Sequence, residues 1–145
     1  WKKLNKLNSY TLSDRAIGFS ETFKAKLDLQ SLNAFIEISG DKNPLHCNKS
    51  YAKKNGFYGP VVHGMLSSSF YSQLVGVHLP GKYSILQGID IDFVKPIYIE
   101  NNLIVTGSVT FISIATKRIE IKASIKNENN EKLSRAKIRV GLLHE

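Results

Sequence analysis

Residues 63–76 constrain the fold more than any other stretch. They read His63-Gly64-Met65-Leu66-Ser67-Ser68-Ser69-Phe70-Tyr71-Ser72-Gln73-Leu74-Val75-Gly76. Apart from the titratable His63 there is no charged side chain, in a chain that carries 20 Lys and Arg residues. A helix that is apolar or small all round has no face to offer water, so it is predicted to lie inside the molecule. Its serines are small enough to let other backbones come close. The rest of the chain must supply something that wraps around it.

What it supplies is strands. Phe19, Glu21, Phe23, Ala25 and Leu27 share one face, and Ser20, Thr22, Lys24 and Lys26 the other. That period of two is a strand pattern. From Ser84 onward the same period returns four times: in Ile85, Ile89, Ile91 and Phe93; in Leu103, Val105, Val109 and Phe111; in Ile119, Ile121, Ala123 and Ile125; and in Ala136, Ile138, Val140 and Leu142. Pro96, Asn101-Asn102, Ala115-Thr116-Lys117 and the polar residues 127–132 separate the runs. The last three runs are close in sequence, which favours antiparallel neighbours, with one sheet face packed and the other wet. Between the first strand and the uncharged helix, Asp28 caps a helix with the stripe Leu29, Leu32, Phe35 and Ile36, ended by Gly40. Asn48 caps a short helix over residues 49–55, closed by Gly56. The sum is an α+β layer architecture, a curved antiparallel sheet wrapped around a central buried helix.

The bulk composition narrows the function. A chain of 145 residues with 42% hydrophobic content is most simply one globular domain. Residues 1–16 are polar and lysine-rich and are expected to be an N-terminal extension, linker or irregular edge, with residues 17–145 as the domain. Trp1 rather than Met at the start is expected of a trimmed chain or a piece of a longer protein. No apolar stretch follows Lys2 and Lys3 to form a signal peptide. No apolar run approaches the ~18 residues a membrane span needs. Cys47 is the single cysteine, so no intrachain disulfide can form and a cytoplasmic home is the default. One Cys and four scattered His residues, without helical i,i+4 spacing, argue against a structural metal site.

The net charge of +8 reads first as a residue bias, because Lys and Asn are abundant throughout. No zinc-finger spacing, aromatic–basic RNA-binding signature or recognition helix points to nucleic acid. A phosphorylated carrier is the better anionic partner, with Lys49, Lys53, Lys54, Lys82, Lys117 and Arg118 as candidate contacts.

Chemistry concentrates in Ser39-Gly40-Asp41-Lys42-Asn43-Pro44-Leu45-His46. Pro44 lacks an N–H and pushes Asn43 away from helical angles, so Asp41 and His46 sit five residues apart on a stiff, turned segment that is not a regular helix. From there they can converge on one water and move protons near neutral pH. Taken alone, the segment reads better as an Asx-turn followed by a loop histidine bonded to backbone. Cys47 adjoins His46, but chain neighbours rarely face each other. His63 reads as a buried, hydrogen-bonded residue at a helix start. Ser67, Ser68 and Ser69 read as packing residues, since no Gly-x-Ser-x-Gly elbow is present. Ser72 stands between packing and site support; Met65, Phe70 and Tyr71 read as core.

Two blocks, in this order and spacing and with this strand pattern behind them, resemble the MaoC-like family of (R)-specific enoyl-CoA hydratases and dehydratases, which has the hot-dog fold. The first is Ser39-Gly40-Asp41 followed by Asn43-Pro44-Leu45-His46. The second is Val62-His63-Gly64-Met65-Leu66, approached through Phe57-Tyr58-Gly59-Pro60. The likeness covers about residues 19–142. It implies that Asp41 and His46 hold and activate a water, and that the Gly64 N–H binds a thioester carbonyl oxygen. On the substrate-binding side it implies Asn43, bracing the catalytic loop, and Ser72, supporting the site with its hydroxyl. The implied reaction is hydration of trans-2-enoyl thioesters to (R)-3-hydroxyacyl thioesters, or the reverse dehydration. The implied carrier is coenzyme A or acyl carrier protein, with no cofactor or metal, in a homodimer or higher homo-oligomer. Asn48 departs from the pattern, since many members carry Asp there, and the segment ahead of Tyr10 lies outside it. A thioesterase of the same fold would place a carboxylate on or beside the central helix, which has none here. A non-catalytic acyl-binding module would have no need of an intact Asp41/His46 pair.

Overall fold

The computed structural model describes residues 7–14 and 16–143. Residues 1–6 and 15 of the expected N-terminal extension lie outside the described residues. Strand β1 (Ser20–Ala25) leads to helices α1 (Leu29–Ser39), α2 (Pro44–Cys47), α3 (Lys49–Lys54) and α4 (Gly64–Gln73). Helix α4 runs on as a π-helical turn, Leu74–His78. Strands β2 (Ser84–Phe93), β3 (Leu103–Ser113), β4 (Arg118–Asn127) and β5 (Lys132–Leu142) follow. All pairings are antiparallel, in the order β1-β3-β4-β5-β2.

Register carries the core across the sheet. Phe23, Val105, Ile125, Ser134 and Phe93 are successive partners across all five strands. Val109, Ile121, Ile138 and Ile89 form a second row across four. Cross-strand partners lie on one face, and these rows face α4: Leu74 reaches so close to Gly107 that a Cβ there would lie 2.5 Å from Leu74 Cδ2. Ser134, fully buried in the first row, is matched by the Tyr71 hydroxyl of α4 at 2.7 Å. Burial pushes the Tyr71 phenol above its usual pKa, and its hydrogen bonds to Ser134 and the Ile125 backbone pull it partly back. It is therefore protonated at neutral pH and able to share a hydrogen with Ser134.

The caps are where the sequence puts them. Asp28 Oδ1 accepts from Ser31 N at 2.8 Å at the start of α1, and Gly40 closes that helix with φ of 72°. Asn48 Oδ1 accepts from Tyr51 N at 2.9 Å at the start of α3. Residues 44–47, expected to be non-helical, form the single turn of α2. Pro44 opens it at a position where its missing N–H is not needed, and Asn43 caps it. Residues 8–12 are docked on the domain: Asn8 O accepts from Lys82 N at 2.8 Å, Tyr10 N donates to Pro80 O at 3.2 Å, and Leu12 is 9% exposed.

Two expectations change. Helix α4 is not enclosed on every side: Leu66, Ser67 and Tyr71 are buried, but Met65 is 66% exposed and Ser69 and Ser72 also face outward. One sheet covers one side of a helix, and nothing among the described residues covers the other. Phe111 is also exposed, because a β-bulge after Val109 pairs it with Glu120 on the outer face. Among the described residues no helix is long and apolar enough to cross a membrane.

The Tyr71–Ser134 pair generates a stability test. Tyr71→Phe strands a buried hydroxyl and should lower the unfolding free energy by about 1–3 kcal/mol in urea titrations. Adding Ser134→Ala should recover part of that loss. A single mutant as stable as the parent would show the pair to be dispensable.

Candidate functional site

The hydrogen bonds of residues 39–46 decide which oxygen of Asp41 faces the site. Ser39 Oγ donates to Phe35 O at 2.7 Å and accepts from Asp41 N at 3.1 Å. Asp41 Oδ1 accepts from Asn43 N at 3.1 Å, which is an Asx-turn. Oδ2 is left to point at two imidazoles, with His46 Nε2 and His63 Nε2 each 3.9 Å away. The turn thus uses one oxygen of Asp41 and leaves the other facing the two imidazoles.

His46 is held from the other side. Its Nδ1 lies 2.6 Å from Val61 O. A carbonyl can only accept, so Nδ1 carries the proton and Nε2 presents a lone pair towards Asp41 when the ring is uncharged. Val61 N returns a bond to Leu45 O at 3.0 Å, and Val62 N donates to Ile97 O at 2.8 Å. The loop is therefore fastened to the chain entering α4, and that entry to the segment between β2 and β3. The 3.9 Å between His46 Nε2 and Asp41 Oδ2 is too long for a direct hydrogen bond. It suits one water bonded to both at about 2.8 Å, with an angle of roughly 90° at its oxygen.

His63 completes the cluster. Its ring stacks on that of His46, with centroids 3.7 Å apart at 25°. Its Nε2 donates to Asp41 O at 3.1 Å. Asp41, His46 and His63 each offer one ligand-type atom, all within 4.8 Å of one another. The Nε2 of His63 is committed as a donor to a carbonyl, leaving two acceptors, Asp41 Oδ2 and His46 Nε2. Two acceptors match the two hydrogens of a water better than a cation, which would have to break the His63 bond.

Gly64 opens α4, so its N–H has no partner within the helix. Its carbonyl accepts from Ser67 Oγ and Ser68 Oγ, both at 2.8 Å, which accounts for those serines as structural. A Cβ on Gly64 would lie 2.7 Å from Phe93 Cζ, so glycine leaves room for that ring against the helix start. Gly64 and His46 line one cavity of about 450 Å³ with Leu45, Phe57, Val62 and Phe93 among its walls. Such an apolar wall with few polar atoms suits an acyl chain.

The sequence-predicted residues do not all meet there. Asp41 reaches His46 but does not line the cavity, and its side chain is 48% exposed. Asn43 accepts from Leu45 N at 3.0 Å and so braces the loop; it does not touch the cavity. Ser72 is exposed on α4, away from the cavity. Sequence reading missed the Val61 carbonyl, which has no side-chain signature, and Phe93, read as a strand core residue. It also missed Lys95, a lining residue whose ammonium is bonded to Glu131 at 2.6 Å.

Fold and site together define a hot-dog domain with a carboxylate–imidazole pair beside a helix N-terminus. The chain belongs to the MaoC-like family: the MaoC like domain model matches residues 13–132. It is 34% identical over 94 residues to an (R)-specific enoyl-CoA hydratase of Aeromonas caviae, covering 65% of this chain and 70% of that protein. It is 36% identical over 75 residues to a mitochondrial 3-hydroxyacyl-[acyl-carrier-protein] dehydratase of Arabidopsis thaliana, covering 52% of this chain and 44% of that one. A solved structure, an (R)-hydratase from A. caviae involved in PHA biosynthesis, superposes with a TM-score of 0.83 at 27% identity, over 88% of this chain and 97% of that one.

The carbonyl contacts fix a tautomer for each ring. Nitrogen-15 NMR at a pH where both rings are uncharged should show His46 protonated at Nδ1 and His63 at Nε2. The opposite tautomer at His46 would turn its lone pair away from Asp41 and dismantle the site.

Proposed function

We propose that this chain hydrates trans-2-enoyl thioesters to (R)-3-hydroxyacyl thioesters, or runs the reverse dehydration, with Asp41 and His46 as the acid–base pair. The observation that carries this is the 3.9 Å gap between His46 Nε2 and Asp41 Oδ2, beside a cavity that also holds the N-terminus of α4. Both groups accept hydrogen bonds, so a water between them gives a hydrogen to each and turns a lone pair outward. That lone pair attacks C3 of the enoyl thioester. As it does, negative charge grows on the thioester oxygen, where the N–H of Gly64, aided by the helix dipole, would meet it. The pair takes one proton from the water and returns it to C2; the hydroxyl stays on C3. The apolar walls would hold the acyl chain.

The reading is tested with crotonyl-CoA by following the enoyl-thioester absorbance. Asp41→Asn and His46→Ala should each cut turnover by about 10²-fold or more, the usual share of general acid–base catalysis, while the proteins stay folded. Turnover like the parent's in either variant would sink the mechanism.

We further propose that the working form is a homodimer or higher homo-oligomer. What supports it is an uncharged outer face on α4 (Met65, Ser69, Ser72) together with β2, a sheet-edge strand with Ile85, Leu86 and Phe93 each 45–53% exposed. Open edges and apolar faces are usually covered, most often across a two-fold axis. Light scattering at micromolar concentration should give twice the chain mass or a higher multiple. A monomer mass would refute it.

A further inference from the structure

The mechanism leaves a buried titratable side chain without a task. His63 occupies the N-cap position of α4, where Ser, Thr, Asp or Asn would use a side-chain oxygen to cap the helix. Its ring makes no capping bond. It is 2% exposed, and its Nδ1 is buried without a hydrogen-bond partner. A buried, unpartnered nitrogen costs stability, and an apolar side chain would avoid that cost. Helix packing alone therefore does not account for a histidine here.

The rest of the ring accounts for it. Nε2–H donates to the main-chain oxygen of Asp41 at 3.1 Å and lies 3.9 Å from Asp41 Oδ2. One ring face lies against His46 at 3.7 Å between centroids, and Phe35 packs at 5.0 Å and 57°. We propose that His63 is a positioning residue for the hydration site, fixing both partners at once: Asp41 through its carbonyl, and His46 through its ring face. This rests on the hydration reading above. The argument is one of degrees of freedom. The His46 ring is held at Nδ1 by Val61 O, and a ring held at one atom can still swing about that bond. A second ring stacked on its face removes the swing. The Asx-turn ties Asp41 Oδ1 to Asn43 N, and Asn43 O accepts from His46 N at 2.9 Å; these bonds set the main chain but do not hold the His46 ring against the Asp41 carboxylate. His63 adds that link, because it touches both the Asp41 carbonyl and the His46 ring face.

Two variants separate the contacts. His63→Phe keeps a ring and removes the donor; His63→Gln keeps a donor and removes the ring. Each should lower kcat for crotonyl-CoA hydration by about tenfold to 10²-fold, the scale of a small misplacement of reacting groups. KM should stay within about twofold and the melting temperature should change little. Hydrogen exchange at the amides of residues 41–46 should be faster in His63→Phe. Either folded variant with kcat within about twofold of the parent overturns the proposal. So does a loss of kcat matched by a rise in KM and a lower melting temperature, which is the signature of a packing residue. If the parent itself does not hydrate crotonyl-CoA, the hydration reading fails. The exchange measurement then decides positioning alone: faster exchange sustains it, and unchanged exchange overturns it.

Discussion

The hydrogen bond from His46 Nδ1 to the Val61 carbonyl, 2.6 Å long, is the contact on which the site depends. It does two things at once. It sets the tautomer of His46, so that the lone pair faces Asp41. It also ties the loop after α1 to the segment that becomes α4. The reciprocal bond from Val61 N to Leu45 O and the bond from Val62 N to Ile97 O extend the clamp to the sheet connection. The His46 ring is thereby tied to the buried segment, Val61 and Val62, that leads into α4. Reacting groups held on a packed scaffold keep their spacing without reorganising as charge develops.

Much of this was legible in the sequence because the signals were local. Asp28, Asn48 and Gly40 act within a few residues of themselves, and each caps or ends a helix in the structure. Strands β4 and β5 alternate over residues 118–125 and 134–140, and Ile119, Ile121, Ile138 and Val140 are fully buried, as the pattern requires. What was not legible is non-local or carried by backbone. A bulge after Val109 shifts Phe111 to the outer face, and no residue type announces it. The Val61 carbonyl accepts from a ring fifteen residues earlier, and a carbonyl has no letter in the sequence. His63 was read correctly as buried and hydrogen-bonded, but its partners, Asp41 and His46, belong to the loop rather than to its own helix.

The uncharged helix shows where composition misleads. Freedom from charge predicts burial, and half of α4 obeys, with Tyr71 and the following Leu74 at 0% exposure. The remaining face is uncharged and open. A sheet contacts a helix along one side only, so total burial of such a helix needs a second covering layer. Net charge tells the complementary story. Cations near the sheet are largely matched, with Arg135 to Asp92 and Arg139 to Asp90 both at 2.8 Å. These exposed pairs contribute little to stability; their effect is to take cations out of play as contacts for an anionic ligand.

Chemistry of this kind needs water to be both present and excluded. A single water must reach the gap between Asp41 and His46, yet an N–H donor stabilises a developing oxyanion best where bulk solvent is absent. The isolated chain meets the first need and not the second: Asp41 is 48% exposed, and Phe93 beside Gly64 is 53% exposed. The inner-face row that places Phe93 next to the helix start ends at β2, the last strand of the sheet. Beyond it no strand among the described residues continues the wall. What closes the site must therefore come from outside the described residues. An acyl chain lying along Leu45, Phe57 and Val62 would displace water from the apolar side. A second subunit extending the sheet past β2 would displace it from the other. Substrate and assembly would then act in the same direction, each removing solvent from an acid–base pair whose geometry the single chain already fixes.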